Sequence, residues 1–253
     1  MIEISLILAT YGRKIEVHQF IDSLIIQSLP KKSFELIVVD QNDTIDLSDI
    51  KNKYLNILNI VYIKSPVKGL SKNRNIGLGY ASGRYVAFPD DDCIYYPDTL
   101  STVIYLFNKL DDVDVLMGSI YDVENEKDVL RSWPEKNIYI NKVNFYKLVT
   151  SITIFSKNTN MNFDENLGVG AKFGSNEDAE YIYRFLCMKS NVVYTKSIKV
   201  WHPEQRFTII PNEKIYSYGM GFGAFVAKYK STELLLIFFV AITFHFWKMI
   251  YYF

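Results

Sequence analysis

The stretch "YVAFPDDDCIYYPDTL", residues 85–100, decides how the chain is read. Tyr85 to Phe88 suit a buried strand, Pro89 ends it, and Asp90, Asp91 and Asp92 follow before the sequence turns apolar again. Three adjacent carboxylates repel one another, so their place at a strand end needs a physical reason. Outward from this point, "EISLILAT", "FELIVVD" (34–40) and "NIVYIKS" (59–65) are further strands, and "VDVLMGSIYDV" is a fifth. Between them "KIEVHQFIDSLIIQSL", "LSKNRNIGLGYA" and "YPDTLSTVIYLFNKL" have helical character. Ser71 is a candidate N-cap, Gly83 a stop, and Pro97 sits near a helix start. This alternation predicts βαβ units around a parallel sheet over the first ~120 residues. Ligands of such sheets sit at the carboxyl ends of the strands. Thr10 and Tyr11, the run from Asp40 to Asp43, and the aspartate triplet all follow strands and converge on one edge. The triplet is thereby placed in a ligand crevice, with a cation to relieve its repulsion.

The second half is less regular. "VTSITIFSK" (149–157) and "NVVYTKSIKVWH" read as strands and "NEDAEYIYRFLCMK" as a helix, an α+β half that continues the same sheet. Residues 1–230 are expected to form one domain, with a nucleotide-binding half (1–120) and an acceptor half (121–230), and residues 231–253 an apolar helix.

The 253 residues are 49% apolar, enough for a sizeable core, and 28 basic residues balance 28 acidic ones. No overall field draws the chain onto nucleic acid, so charge must act locally. Cys93 and Cys187 are far apart and lack metal-type spacing, which suggests free thiols in a reducing compartment. "MIEISLILATYGR" shows no basic leader or cleavage site, and the expectation is a cytoplasmic chain. "STELLLIFFVAITFHFWKMIYYF" (231–253) is nearly continuous hydrophobe, with Trp247, Tyr251 and Tyr252 suited to an interface and Lys228 and Lys230 before it. It reads as membrane-attached, spanning or lying flat, at the cytoplasmic face.

Carboxylate oxygens suit Mg²⁺ and Mn²⁺, which are usually held by one or two carboxylates together with substrate phosphates. Alternate residues of an extended chain share a side, so Asp90 and Asp92 can act together. In "KGLSKNRNIG" (68–77), Lys72 and Arg74 lie in a helix's first turn, either as a phosphate site or as surface charge. The cation, the basic turn and the crevice together describe a nucleoside diphosphate site.

"SLILATYGR", "FELIVVDQND", "KGLSKNRNIGLGYASGRYVAFPDDDCIYYPDTL", "NEDAEYIYR" and "VWH", in that order, resemble the inverting family 2 glycosyltransferases of the GT-A fold. The resemblance covers roughly residues 2 to 230. It implies that Thr10 and Tyr11 hold base and ribose, and that Asp40 and Gln41 receive the base. It implies that Asp90 and Asp91 hold ribose or approach the metal, that Asp92 binds Mn²⁺ or Mg²⁺, and that Arg74 lies near the diphosphate. Gln41 stands where many members have aspartate; an amide can still pair with uracil. The resemblance further implies that the "ED" pair, Glu177 and Asp178, holds the catalytic base, assigned to Asp178, although acids at a helix start also answer the helix dipole. His202 either completes the metal site or is structural. "SYGMGFGAFVAKY" (217–229) either closes over the donor or is glycine-rich helix packing. The implied reaction moves a sugar from a nucleotide sugar, UDP-linked, to a hydroxyl of a lipid-linked or glycan acceptor in bacterial surface polysaccharide synthesis. A nucleotidyltransferase and a non-catalytic sugar-nucleotide binder are the rival readings.

Overall fold

The computed structural model describes residues 1–204 and 211–251. The strands in chain order are β1 (Ile4–Thr10), β2 (Phe34–Asp40), β3 (Ile60–Lys64), β4 (Tyr85–Ala87), β5 (Ile94–Tyr95), β6 (Val115–Asp122), β7 (Lys127–Asp128), β8 (Ile138–Tyr139), β9 (Ile154–Lys157) and β10 (Val192–Trp201). The α-helices are α1 (Ile15–Ile25), α2 (Asp49–Tyr54), α3 (Leu70–Leu78), α4 (Thr99–Lys109), α5 (Glu177–Cys187), α6 (Asn212–Tyr229) and α7 (Thr232–Tyr251).

One sheet runs β3-β2-β1-β4-β9-β6-β10-β5, with β7 on β6 and β8 on β10. Every residue of β1 and β2 is buried, as the unbroken apolar runs require when helices cover both faces of a parallel sheet. The pairs β1–β2, β2–β3 and β1–β4 are parallel. The expected parallel order fails beyond β4. Strand β9, from the second half, enters antiparallel between β4 and β6, so β6 does not adjoin β4. The sheet is therefore mixed, and it joins both halves through a shared core. Sequence spacing misses this because β9 reads as any short buried strand, and its neighbours are set by long-range closure.

The segment 217–229 is helical, inside α6. Its Gly221 lies against the backbone of Ser175, where a Cβ would come within 2.8 Å of the Ser175 amide nitrogen. Close helix packing accounts for that glycine. Glu180 of α5 fixes α6 from below, accepting hydrogen bonds from Lys228 Nζ at 2.7 Å and Tyr229 Oη at 2.6 Å.

Helix α7 packs on this support through Leu234, fully buried, with Phe222 and Phe238 in ring contact at 5.7 Å. The membrane-crossing alternative is not met: among the described residues, no helix is long and apolar enough to cross a membrane. Leu236, Phe239, Val240, Phe244 and Trp247 are nevertheless exposed along α7. Tyr252 and the side chains of His245, Lys248 and Tyr251 lie outside the described residues.

Candidate active site

At the carboxyl edge of β1, β2 and β4 opens a cleft of about 590 Å³, lined among others by Tyr11, Arg13, Gln41, Lys68, Asp90 and Gly170. Gly69 opens α3 with φ +118, a backbone state that disfavours any side chain. Gly170, from the second half, sits against it, where a Cβ would come within 3.1 Å of Gly69 Cα. Ser71 is thus not the N-cap. Its hydroxyl donates to Leu167 O at 2.5 Å, and Leu70 N–H donates to Val169 O at 2.9 Å. These bonds fasten the 167–170 loop over the cleft.

On the base side, Asp40 is fully buried and already bonded: it accepts from Tyr62 Oη at 2.6 Å, Lys64 Nζ at 2.9 Å, and Asn42 N and Nδ2 at 2.8 Å each. Burial works to raise its carboxyl, but these donors outweigh it and hold Asp40 below its ordinary range. It braces the loop after β2 and is not among the lining residues of the cleft. Gln41 does line it. Its Oε1 accepts from Gly69 N at 2.9 Å and Asn73 Nδ2 at 3.0 Å, while its own amide N–H groups have no acceptor among the described residues. Lys68 reaches the Gln41 carbonyl, pairs with Asp43 at 2.8 Å and lies 5.0 Å over the exposed Tyr11 ring. Tyr11, Gln41 and Lys68 offer a stacking surface with donors beside it.

The three aspartates turn different ways. Asp91 is buried, accepting from Thr10 Oγ1 at 2.7 Å and pairing with Arg13. Thr10 is itself fully buried, so it steadies Asp91. Asp90 pairs with Arg74 at 3.0 Å. Asp92 pairs with Arg13 at 2.8 Å and with His202 Nε2 at 3.3 Å. Burial would raise Asp92, but the His202 hydrogen bond and the His202 and Arg13 charges hold it below its ordinary value. His202 is correspondingly raised, its own burial opposing. Protein cations thus share the relief of repulsion that the sequence assigned to an ion alone.

Arg74 needs amending more sharply. It has no exposed surface, and its guanidinium bridges Asp90 and, at 3.2 Å, Glu177 Oε1. It stands behind the cleft as a strut between α3 and α5 and is not among the cleft's lining residues. Glu177 is buried, and that burial, with the Asp178 charge adding, pushes it up to about 7 against the pull of Arg74. Its carboxylate is committed to the Arg74 guanidinium. Asp178 remains half-exposed on the first turn of α5, which begins after Asn176 at φ +68. Asn176 is pinned there by Tyr146 Oη, which donates to its Oδ1 at 2.7 Å.

Asp90, Asp92 and His202 each offer one ligand atom, all within 4.8 Å of one another. Two hard oxygens and an imidazole nitrogen suit Mn²⁺ or Mg²⁺ and leave coordination positions for phosphate oxygens. Arg13, Lys68 and the 167–170 loop were not singled out in the sequence. The glycines of "GVGAKFG" were the one available signal for the loop.

The family model for glycosyl transferase family 2 matches residues 5–167, which carry all three aspartates and the cleft's lining except Val169 and Gly170. The chain belongs to glycosyl transferase family 2. It is 28% identical over 237 residues, 83% of its length, to the minor teichoic acid biosynthesis protein GgaB of Bacillus subtilis, covering 26% of that protein. It is 34% identical over 102 residues, 40% of its length, to the poly(ribitol-phosphate) beta-N-acetylglucosaminyltransferase TarS of Staphylococcus aureus, covering 18% of it. The chain therefore spans about a quarter of the first relative's length and less than a fifth of the second's. The crystal structure of S. aureus TarS 1-349 with UDP-GlcNAc superposes with a TM-score of 0.66 at 22% identity, over 89% of this chain and 66% of that one. The likeness shows a GT-A fold in this family 2 member.

Proposed function

We propose that this family 2 member is an inverting glycosyltransferase that moves a sugar from a UDP-linked donor to a hydroxyl of a lipid-linked or glycan acceptor in bacterial cell-surface polysaccharide synthesis. The observation that carries the reading is that Asp90, on the wall of the cleft that holds the Tyr11–Gln41–Lys68 platform, also belongs to the three-ligand set with Asp92 and His202. Gln41 amide N–H groups suit the carbonyls of a uracil ring, and the TarS complex with UDP-GlcNAc supports the same base. A Mn²⁺ or Mg²⁺ ion, when bound, supplies positive charge for the departing diphosphate. Arg13 and Lys68 add cationic side chains on the cleft wall. Asp178 takes the proton from the acceptor hydroxyl, and Glu177 and Arg74 fix the helix turn that presents it. The purified chain should release UDP from one member of a nucleotide-sugar panel, and only with Mn²⁺ or Mg²⁺ present. Release of no nucleoside diphosphate from any donor rejects the transferase reading.

The exposed apolar face of α7 supports peripheral attachment to the cytoplasmic face of the cell membrane, with the helix lying flat. Replacing both Leu236 and Phe239 by Glu is expected to abolish flotation with anionic vesicles while the melting temperature holds, since both side chains are exposed. Unaltered flotation would remove the membrane from this account.

A further inference from the structure

Beside the donor cleft, and sharing Asp90 with it, lies a second cavity of about 420 Å³. One wall comes from residues 128–132, and it is firmly built. Trp133 N–H donates to Asp128 Oδ2 at 2.9 Å, and Trp133 Nε1 donates to Val129 O at 3.0 Å. The buried Trp133 ring stacks on Tyr194 at 6.0 Å and 11°, and the Tyr194 hydroxyl donates to Pro134 O at 2.9 Å. Lys196 bridges Asp128 and Glu135 at 2.9 and 2.6 Å. Leu130 is held on this base at φ +70, a left-handed state that a leucine adopts only where its surroundings impose it. The turn brings Leu130, Arg131 and Ser132 to the cavity wall.

The other charges around the cavity are matched within the protein. Asp90 pairs with Arg74, Asp128 with Lys196, Glu204 with Lys127, and His202 with Asp92. Arg131 differs. Among the described residues no carboxylate lies within the 4.0 Å of an ion pair, and its one hydrogen bond is from Nη1 to Lys147 O at 2.5 Å. Its guanidinium lies 5.1 Å over the Trp133 ring. Burial pushes it below its ordinary value, while Asp178 and Tyr146 act on it from a distance. A partly desolvated cation with open N–H groups, flanked on the wall by the hydroxyl residues Ser132 and Thr150, suits an anion with several oxygens.

We propose that this second cavity is an acceptor subsite in which Arg131, Ser132 and Thr150 hold a phosphate ester of the acceptor and so direct its hydroxyl toward Asp178. That the occupant is an acceptor rests on the transferase reading above; that it carries phosphate rests on the cavity alone. The phosphate has two sources, the diphosphate of a lipid-linked acceptor and the phosphodiester of a polymer.

The test compares UDP release with four probes: a glycerol phosphate oligomer, a short-chain lipid diphosphate sugar, a neutral polyol of matched hydroxyl count, and the corresponding uronate. At least one phosphate-bearing probe should exceed the neutral one by about tenfold or more in kcat/KM, the size of a hydrogen bond to a charged group. Whichever is preferred identifies the source. In Arg131→Gln that ratio should fall toward one, with partial recovery in Arg131→Lys; general damage to the fold would lower both rates and leave the ratio standing. An unchanged ratio in Arg131→Gln, or a neutral or uronate probe used as well as the phosphates, overturns the subsite. If the wild type turns over no donor, the transferase reading fails separately. Calorimetry with the glycerol phosphate oligomer then decides the cavity: binding weakened about tenfold in Arg131→Gln supports it, and equal binding overturns it.

Discussion

Asp92→Ala is expected to lose Mn²⁺ binding and to lower nucleotide-sugar turnover by about a thousandfold, the consequence of several kcal/mol of charge stabilisation at the leaving diphosphate. Asp92 is central to the candidate ligand set because it also fixes the other members. Its Oδ1 faces His202 Nε2 at 3.3 Å, and its Oδ2 faces Arg13 at 2.8 Å. Without it the imidazole loses the partner that raises it, and Arg13 retains Asp91 alone. The fold should survive. The lost ion pairs are partly exposed on the Arg13 side, and such pairs contribute about 1 kcal/mol or less. Electron paramagnetic resonance of added Mn²⁺ reads the binding directly, and circular dichroism confirms the fold. Mn²⁺ held as tightly by the variant as by the wild type would remove Asp92 from the site.

Asp178→Asn should bind UDP-sugar as the wild type does and transfer it between about a hundred and ten thousand times more slowly, the range associated with loss of a positioned general base. The amide keeps the size and polarity of the side chain, so the α5 N-terminus and its Asn176 pin stay in place. A drop in kcat with an unaltered donor dissociation constant is the expected pattern. Unchanged turnover would move proton abstraction to another group. Glu177 is a poor substitute, because it is buried and its carboxylate is held by Arg74 at 3.2 Å. Glu177→Gln should therefore not reproduce the Asp178→Asn pattern.

Several features of this protein follow from local chain chemistry. The apolar runs of β1 and β2 could only be buried strands, and each ends in a polar residue at the same sheet edge. The crowding of Asp90, Asp91 and Asp92 after a strand placed them at a crevice and called for a divalent ion, and the ordered motifs identified the family that the family model confirms over residues 5–167. The protein cations that share that task were not legible. Arg13 is near in sequence to Thr10 but far from Asp91 and Asp92, and nothing in "ATYGRK" says which way its side chain turns. Arg74 misled the reading for the complementary reason: a basic residue in a helix's first turn looks available to phosphate until Glu177, 103 positions later, is seen to face it.

Periodicity and residue chemistry act over a few neighbours, so they determined the strands, the helices and the edge on which ligands gather. Burial and ion pairing are settled when distant segments meet. Only the tertiary structure could insert β9 antiparallel between β4 and β6, close the 167–170 loop on Gly69, withdraw Asp40 and Arg74 from the cleft, and seat Arg131 on Trp133 beside it.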